Sequence, residues 1–271
     1  MSYMLTLCEE DIAKEWEKYK GFTVRPLPST TSYYREIIQH KGRHNKFLLF
    51  GGTPEIRNIM QQCGFELVII DRSPQVVRAM GRLTQSGMPV SENETLVEID
   101  WLDLNLFDNR FDVLIGDDAI NMVKWDHFDL FLENAARALN PGGIFLCHLL
   151  VKPEDILINM TFSELMQDYQ CGRIKSHYDL ASRINFICYD KASYGMGWQD
   201  TITSIGKDTL EHIPGEFDFY QTFAVCNSRF YCPPQFEFES LVKKYFTIEE
   251  IFYPHEHEYC LYEPLYLLKK K

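Results

Sequence analysis

From Lys46 onward the chain alternates short apolar runs with stretches in which apolar residues recur every three or four positions. Phe47 to Phe50, Leu67 to Ile70, Thr95 to Ile99, Phe111 to Ile115 and Ile144 to Leu150 read as strands. Glu55 to Cys63, Pro74 to Leu83 and Phe128 to Leu139 read as helices, with the turn Asn140-Pro141-Gly142-Gly143 before the fifth strand. Strands that are apolar at every position are buried on both faces. The pattern therefore predicts an α/β fold: a doubly wound, mostly parallel sheet with helices on both sides. Before it, a charged helix over 9–20 is broken by Arg25-Pro26-Leu27-Pro28, and Ser32 to Gln39 starts another, so residues 1–44 form a helical arm. The alternation stops at Lys152-Pro153. Residues 152–231 carry helical stretches, best over Ser163 to Gln170 and His177 to Tyr189, and many rings without a period of two, which predicts an inserted helical cap. Phe236 to Tyr245 is again helical. Thr247 to Tyr253 and Tyr259 to Leu268 are strands joined by Pro254 to Glu258, a link too short for a parallel crossover, so the last pair is antiparallel. The core then comprises residues 45–151 and 232–271.

Composition narrows the function. At 271 residues, 45% hydrophobic and 24% charged, the chain can bury a full core, and no apolar run approaches the roughly 20 residues of a membrane span. Lys and Arg number 27 against 39 Asp and Glu, a net charge of -12 that disfavours an extended phosphate backbone as partner. The eight cysteines (8, 63, 147, 171, 188, 226, 232 and 260) show no C-x-x-C pair, and the start Met1-Ser2-Tyr3-Met4 has no basic and apolar leader. Reduced thiols and a cytoplasmic protein are expected.

The chemistry concentrates after the first strand, in Gly51-Gly52-Thr53-Pro54-Glu55. Two glycines between a strand and a helix let a ligand approach the backbone, and Asp71, twenty residues on, stands where a carboxylate reaches the paired hydroxyls of a ribose. A dinucleotide would place a pyrophosphate against the helix start, but Pro54 has no N–H and Glu55 is an anion. S-adenosylmethionine has no phosphate and is cationic at its sulfonium and ammonium, so it tolerates Glu55.

With the Phe47 to Arg57 run, Asp71-Arg72-Ser73, Asp100-Trp101, Phe111 to Asp118 ending Gly116-Asp117-Asp118, and Leu139 to Gly143, the chain resembles a class I S-adenosylmethionine-dependent methyltransferase over residues 45–150. It is most similar to a bacterial group with Thr-Pro-Glu after the glycine loop. It departs from the class in having two glycines there, not three. The resemblance implies a seven-stranded Rossmann-like sheet with an antiparallel C-terminal strand. It also implies that Phe50, Gly51, Gly52 and Thr53 pass beneath the methionyl part and that Asp71, with Arg72, holds the ribose. Asp100 and Trp101 would meet the adenine, and Gly116 and Asp117 the amino-acid end. The implied activity is methyl transfer to an O, N or C nucleophile of a small molecule.

His148, at the end of the fifth strand, and Tyr178, on the cap, are the catalytic candidates, with Tyr189 beside Tyr178 on a semi-polar face. The cap and arm are expected to form a lid over the acceptor, because their rings exceed what a small helical layer needs for its own core. No metal is expected: neither Asp117-Asp118 nor His255-x-His257 has an evident third ligand. No nucleic acid or membrane partner is expected, and a homo-oligomer is left open. Two other readings compete, a catalytically silent methyltransferase-like binding module and a nicotinamide-dependent oxidoreductase.

Overall fold

The computed structural model describes residues 8–22, 24–104, 107–215, 217–224 and 228–271. Met1 to Met4 and Cys226 lie outside the described residues. The arm supplies α1 (Glu9–Glu17) and α2 (Pro28–Lys41). Next come β1 (Phe47–Phe50), α3 (Pro54–Cys63), β2 (Leu67–Asp71), α4 (Pro74–Gly81), β3 (Glu94–Glu98), β4 (Phe111–Asp117), α5 (Phe128–Ala138) and β5 (Leu139–His148). The inserted segment holds α6 (Asp155–Ile158), α7 (Phe162–Gln170), α8 (His177–Asn185), β6 (Gly195–Gly197), α9 (Trp198–Ile205), α10 (Lys207–Glu211), α11 (Phe219–Ala224) and β7 (Arg229–Tyr231). α12 (Gln235–Tyr245), β8 (Phe246–Phe252) and β9 (Leu265–Lys270) complete the chain.

The main sheet has seven strands in the order β3-β2-β1-β4-β5-β9-β8, with β9 antiparallel to both of its neighbours and the remaining pairs parallel. Successive residues of the unbroken apolar strands serve opposite faces, as a period of two requires. Phe47, Leu49, Val113, Ile115, Ile144 and Leu146 pack with Tyr34 and Ile38 of α2 and Ile56 and Ile59 of α3. Leu48, Phe50, Leu114 and Phe145 pack on the other face with Phe128 and Phe131 of α5 and Phe238 of α12. Arg57, fully buried on α3, donates Nε and Nη2 to the Glu94 carboxylate at 2.9 and 2.6 Å and Nη1 to the Val77 carbonyl at 2.7 Å, joining α3, α4 and β3. Burial alone would raise the Glu94 carboxyl, but the Arg57 guanidinium outweighs it and holds it below its usual range.

Three expectations need correction. β5 begins at Leu139, not Ile144, because Asn140 to Gly143 are drawn into the strand across a register shift opposite Phe111 and Val113. A Cβ on Gly143 would stand 3.0 Å from the Asn140 carbonyl oxygen and 3.1 Å from that of Asp112, so the irregularity depends on that glycine. β9 begins at Leu265, not Tyr259, since the link folds into a 3-10 turn over Glu258–Tyr262 that buries Tyr259, Cys260 and Tyr262. The inserted segment is not all helical: β6 and β7 form a small antiparallel pair, two of whose three β6 residues are glycines with no alternation to read.

The rings of the inserted segment have a packing role that the sequence reading underestimated. Leu180, Ile184, Trp198, Phe219 and Phe223 form a separate core with Tyr19 and Phe22 of the arm, against which Phe217, Tyr220 and Tyr178 also pack. The Tyr19 hydroxyl donates to the Thr222 carbonyl at 2.7 Å. The arm thus completes the cap.

Candidate functional site

β1 and β4 are neighbours, but the chain leaves them toward opposite sides of the sheet, β1 toward β2 and β4 toward β5. Ligands in open α/β sheets bind at the carboxyl ends of such a strand pair. The loop leaving β1 is built on two glycines with different tasks. Gly51 has φ +80°, a left-handed conformation, and its N–H donates to the Ile70 carbonyl at 3.0 Å. Gly52 lets α4 come close: a Cβ there would lie 3.1 Å from the Val77 Cα and 3.2 Å from the Met80 Cβ. Thr53, 9% exposed, sits at the N-cap of α3, and Pro54 opens that helix without an N–H to offer.

A cavity of about 460 Å³ opens beside this loop, lined by Asp71, Arg72, Asp100 and Trp101. Asp71 ends β2 and is 5% exposed. Its Oδ1 accepts the Ser73 N–H at 2.7 Å, and its Oδ2 lies 3.9 Å from where a Gly51 Cβ would project. Burial pushes its carboxyl from the usual 3.8 to about 6, against the Ser73 hydrogen bond and the Arg72 charge, which favour ionisation. The Trp101 indole N–H donates to the Ile70 carbonyl at 2.9 Å, fixing a flat ring beside Gly51. Asp100 accepts the Leu102 N–H at 2.9 Å. Sequence reading missed the far wall, where Lys124 and His127 follow β4 and Arg229 and Tyr231 belong to β7. Asn121 joins that wall to the core: its amide donates to the Leu150 and Tyr231 carbonyls, both at 2.8 Å, and its oxygen accepts the Leu150 N–H. A lone Asn among Ala119, Ile120, Met122 and Val123 gives no sequence signal of such a role.

Other expected site residues are placed differently. Phe50 is buried against Phe131 and Phe145 as a core ring, so only its backbone borders the loop. Gly116 lies under the Phe145 ring, 3.2 Å from a would-be Cβ. The Asp117 side chain is 2% exposed, and its Oδ1 accepts the Tyr34 hydroxyl at 3.2 Å and faces His148 Nδ1 at 2.9 Å. Its carboxylate therefore orients His148. His148 itself is buried, and Asp118 Oδ1 lies 3.8 Å from its Nδ1. Burial alone would lower the imidazole, but the Asp118 and Asp117 carboxylates outweigh it and raise His148 to about 9.

Tyr178 and Tyr189 line neither this cavity nor the smaller one under the cap. Tyr178 packs edge-on to Phe22 of the arm and against His257, and its hydroxyl reaches the Lys20 carbonyl at 3.5 Å. It closes the seam between arm and cap. The Tyr189 hydroxyl donates to the Cys232 carbonyl at 2.8 Å. His257 Nε2 lies 3.1 Å from the Gly21 carbonyl oxygen, so His257 anchors the arm. Glu55 is not the isolated anion that its sequence suggests: Arg25 of the arm donates to its Oε1 at 2.6 and 3.1 Å and to Glu17 at 3.1 Å. With Arg25 held by carboxylates and Pro54 lacking a donor, the start of α3 still offers little to a pyrophosphate.

The smaller cavity, about 20 Å³, lies where arm, cap and core meet, between Phe22, Phe186, Met196, Trp198, Asp118 and Glu263. Glu263 was not among the expected site residues. Asp118 does have further potential ligands beside it, which the sequence does not announce: Glu263 and His148 both approach it.

Residues 51–143 match the sequence family described as a methyltransferase domain. No curated protein sequence matched the chain. Solved structures share the fold at low identity. A Rhodobacter sphaeroides protein described as a Zn-dependent alcohol dehydrogenase is 13% identical at TM-score 0.59, covering 96% of this chain and 98% of its own. The PH0226 protein of Pyrococcus horikoshii OT3 is 18% identical at TM-score 0.56, covering 94% and 99%. The 1,6-didemethyltoxoflavin-N1-methyltransferase of Burkholderia thailandensis is 11% identical at TM-score 0.50, covering 89% and 78%. Residues 51–143 are thus similar to a methyltransferase domain, and the seven-stranded sheet with its antiparallel β9 is Rossmann-like.

Proposed function

We propose that the protein transfers the sulfonium methyl of S-adenosylmethionine to an O, N or C nucleophile of a small molecule. The observation that carries this reading is the cavity beside Gly51, where the Asp71 carboxylate at the end of β2 and the Trp101 indole after β3 stand together. A carboxylate suits paired ribose hydroxyls, and a flat indole suits a purine. When bound, the cofactor supplies an electrophilic methyl group, so the protein's work is alignment and exclusion of water. Arm and cap are placed to exclude water: Phe22 and Trp198 stand over Asp118, just after β4, around a cavity of only about 20 Å³. The crystal structure of the Burkholderia thailandensis enzyme, with its bound S-adenosylhomocysteine, supports the cofactor assignment by likeness of fold.

Calorimetry with S-adenosylhomocysteine tests the reading. One equivalent should bind, and Asp71→Ala should weaken binding by about 1.5–3 kcal/mol, the scale of charge-assisted hydrogen bonds. NADH should not compete. Equal affinity of wild type and variant, or tighter binding of NADH, would overturn the assignment. Binding without transfer to any small acceptor would favour a silent binding module.

A further inference from the structure

Three groups that the proposed reaction leaves unused meet at one end of the sheet. Asp118 follows β4, His148 ends β5, and Glu263 stands just before β9. Asp117 is the register partner of His148 across β4 and β5, and His148 is that of Leu265 across β5 and β9. The sheet itself therefore holds the three side by side. One potential ligand atom from each lies within 4.8 Å of the others, and the residues are 7%, 1% and 1% exposed, respectively.

Two donor atoms point to a ligand. Asp118 Oδ1 and His148 Nε2 are buried without a hydrogen-bond partner, an unfavourable state for acceptors removed from water. The Asp117 carboxylate can only accept, so His148 Nδ1–H donates to it, and Nε2, whose proton an incoming ion would displace, is the nitrogen left to bind. A carboxylate that fixes the far nitrogen of an imidazole is the usual support of a metal-binding histidine. Asp118 also holds φ +52°, a left-handed conformation uncommon for a residue with a Cβ and often kept where function requires it.

We infer that Asp118, His148 through Nε2 and Glu263 bind one divalent first-row transition-metal ion, with Asp117 as the positioning residue for the imidazole. One imidazole with two carboxylates suits Zn²⁺, Mn²⁺ or Co²⁺ better than Mg²⁺ or Ca²⁺, which prefer oxygen alone. Ligands about 2.1 Å from a shared tetrahedral ion stand ~3.4 Å apart, so binding draws these groups inward by on the order of 1 Å. The 20 Å³ cavity against Asp118 and Glu263 has room for one further donor, such as a water molecule. This site is independent of the methyl-transfer reading, and its test uses neither cofactor nor acceptor.

The experiment is titration of the chelator-stripped full chain with Co²⁺ and Zn²⁺, following heat and the cobalt visible spectrum. One equivalent should bind, with d–d bands and no thiolate-to-cobalt charge transfer, which separates this site from the cysteines. Asp118→Asn and Glu263→Gln should each weaken Co²⁺ by tenfold or more, and Asp117→Asn by 10–100-fold. Should a variant fail to fold, X-ray absorption of the zinc-loaded wild type decides: nitrogen and oxygen ligands with one imidazole support the site. Less than a tenth of an equivalent bound, a thiolate band, or folded variants with unchanged affinity would overturn it.

Discussion

On the proposed reading Asp71 serves cofactor binding at the expense of stability, and Asp71→Asn measures both effects. Its carboxyl titrates near 6 in the folded protein against about 3.8 when exposed, chiefly because burial disfavours the charge. Below about pH 3 both states are protonated and the residue costs nothing. As pH rises through 4 to 6 the unfolded chain releases its proton first, so stability falls, and above about pH 7 the cost levels off at roughly 3 kcal/mol. Asparagine carries no charge and retains an oxygen to accept the Ser73 N–H now held at 2.7 Å. The variant should therefore match wild type near pH 3 and exceed it by about 1–3 kcal/mol at pH 8, as measured by urea unfolding across that range. Its affinity for S-adenosylhomocysteine should be lower at pH 8, and only the wild type should lose affinity as pH falls through 6. A variant less stable at pH 8, or a difference that does not change with pH, would refute the reasoning.

Arg57→Ala should destabilise the fold by about 3–5 kcal/mol in urea unfolding, because it leaves the Glu94 carboxylate buried without its main partner. Trp101→Ala should weaken S-adenosylhomocysteine by roughly tenfold, about 1.4 kcal/mol, with little change in unfolding midpoint, as calorimetry beside thermal unfolding will show. Tyr178→Ala should loosen the seam between arm and cap, costing about 1–3 kcal/mol and speeding proteolysis of the arm, while cofactor affinity stays within twofold.

The parallel half of the sheet was legible because Phe47 to Phe50 and Leu67 to Ile70 are apolar at every position, the pattern of strands covered on both faces. Asp71 was legible because its distance from Gly51 is set by one strand-helix-strand passage. The rest depends on contacts between distant segments. Nothing near Glu55 in sequence announces Arg25, nothing near Asp118 announces Glu263, and the rings of the inserted segment show no sign that Tyr19 and Phe22 complete their core. β6 was missed because Gly195-Met196-Gly197 has no apolar alternation to read.

The shared core of arm and cap has a consequence for synthesis. Tyr19 and its partner Thr222 are 203 residues apart, so the arm leaves the ribosome long before the surface it covers exists. At typical elongation rates that interval is roughly 10–40 s, during which Trp16, Tyr19 and Phe22 lack their native cover. The nascent chain is then a natural client for chaperones that hold apolar segments, and closure of so long a loop should be among the last folding events. Transplanting residues 152–231 alone into another scaffold would leave their core open on the side that Tyr19 and Phe22 fill, so a portable unit must carry the arm with it.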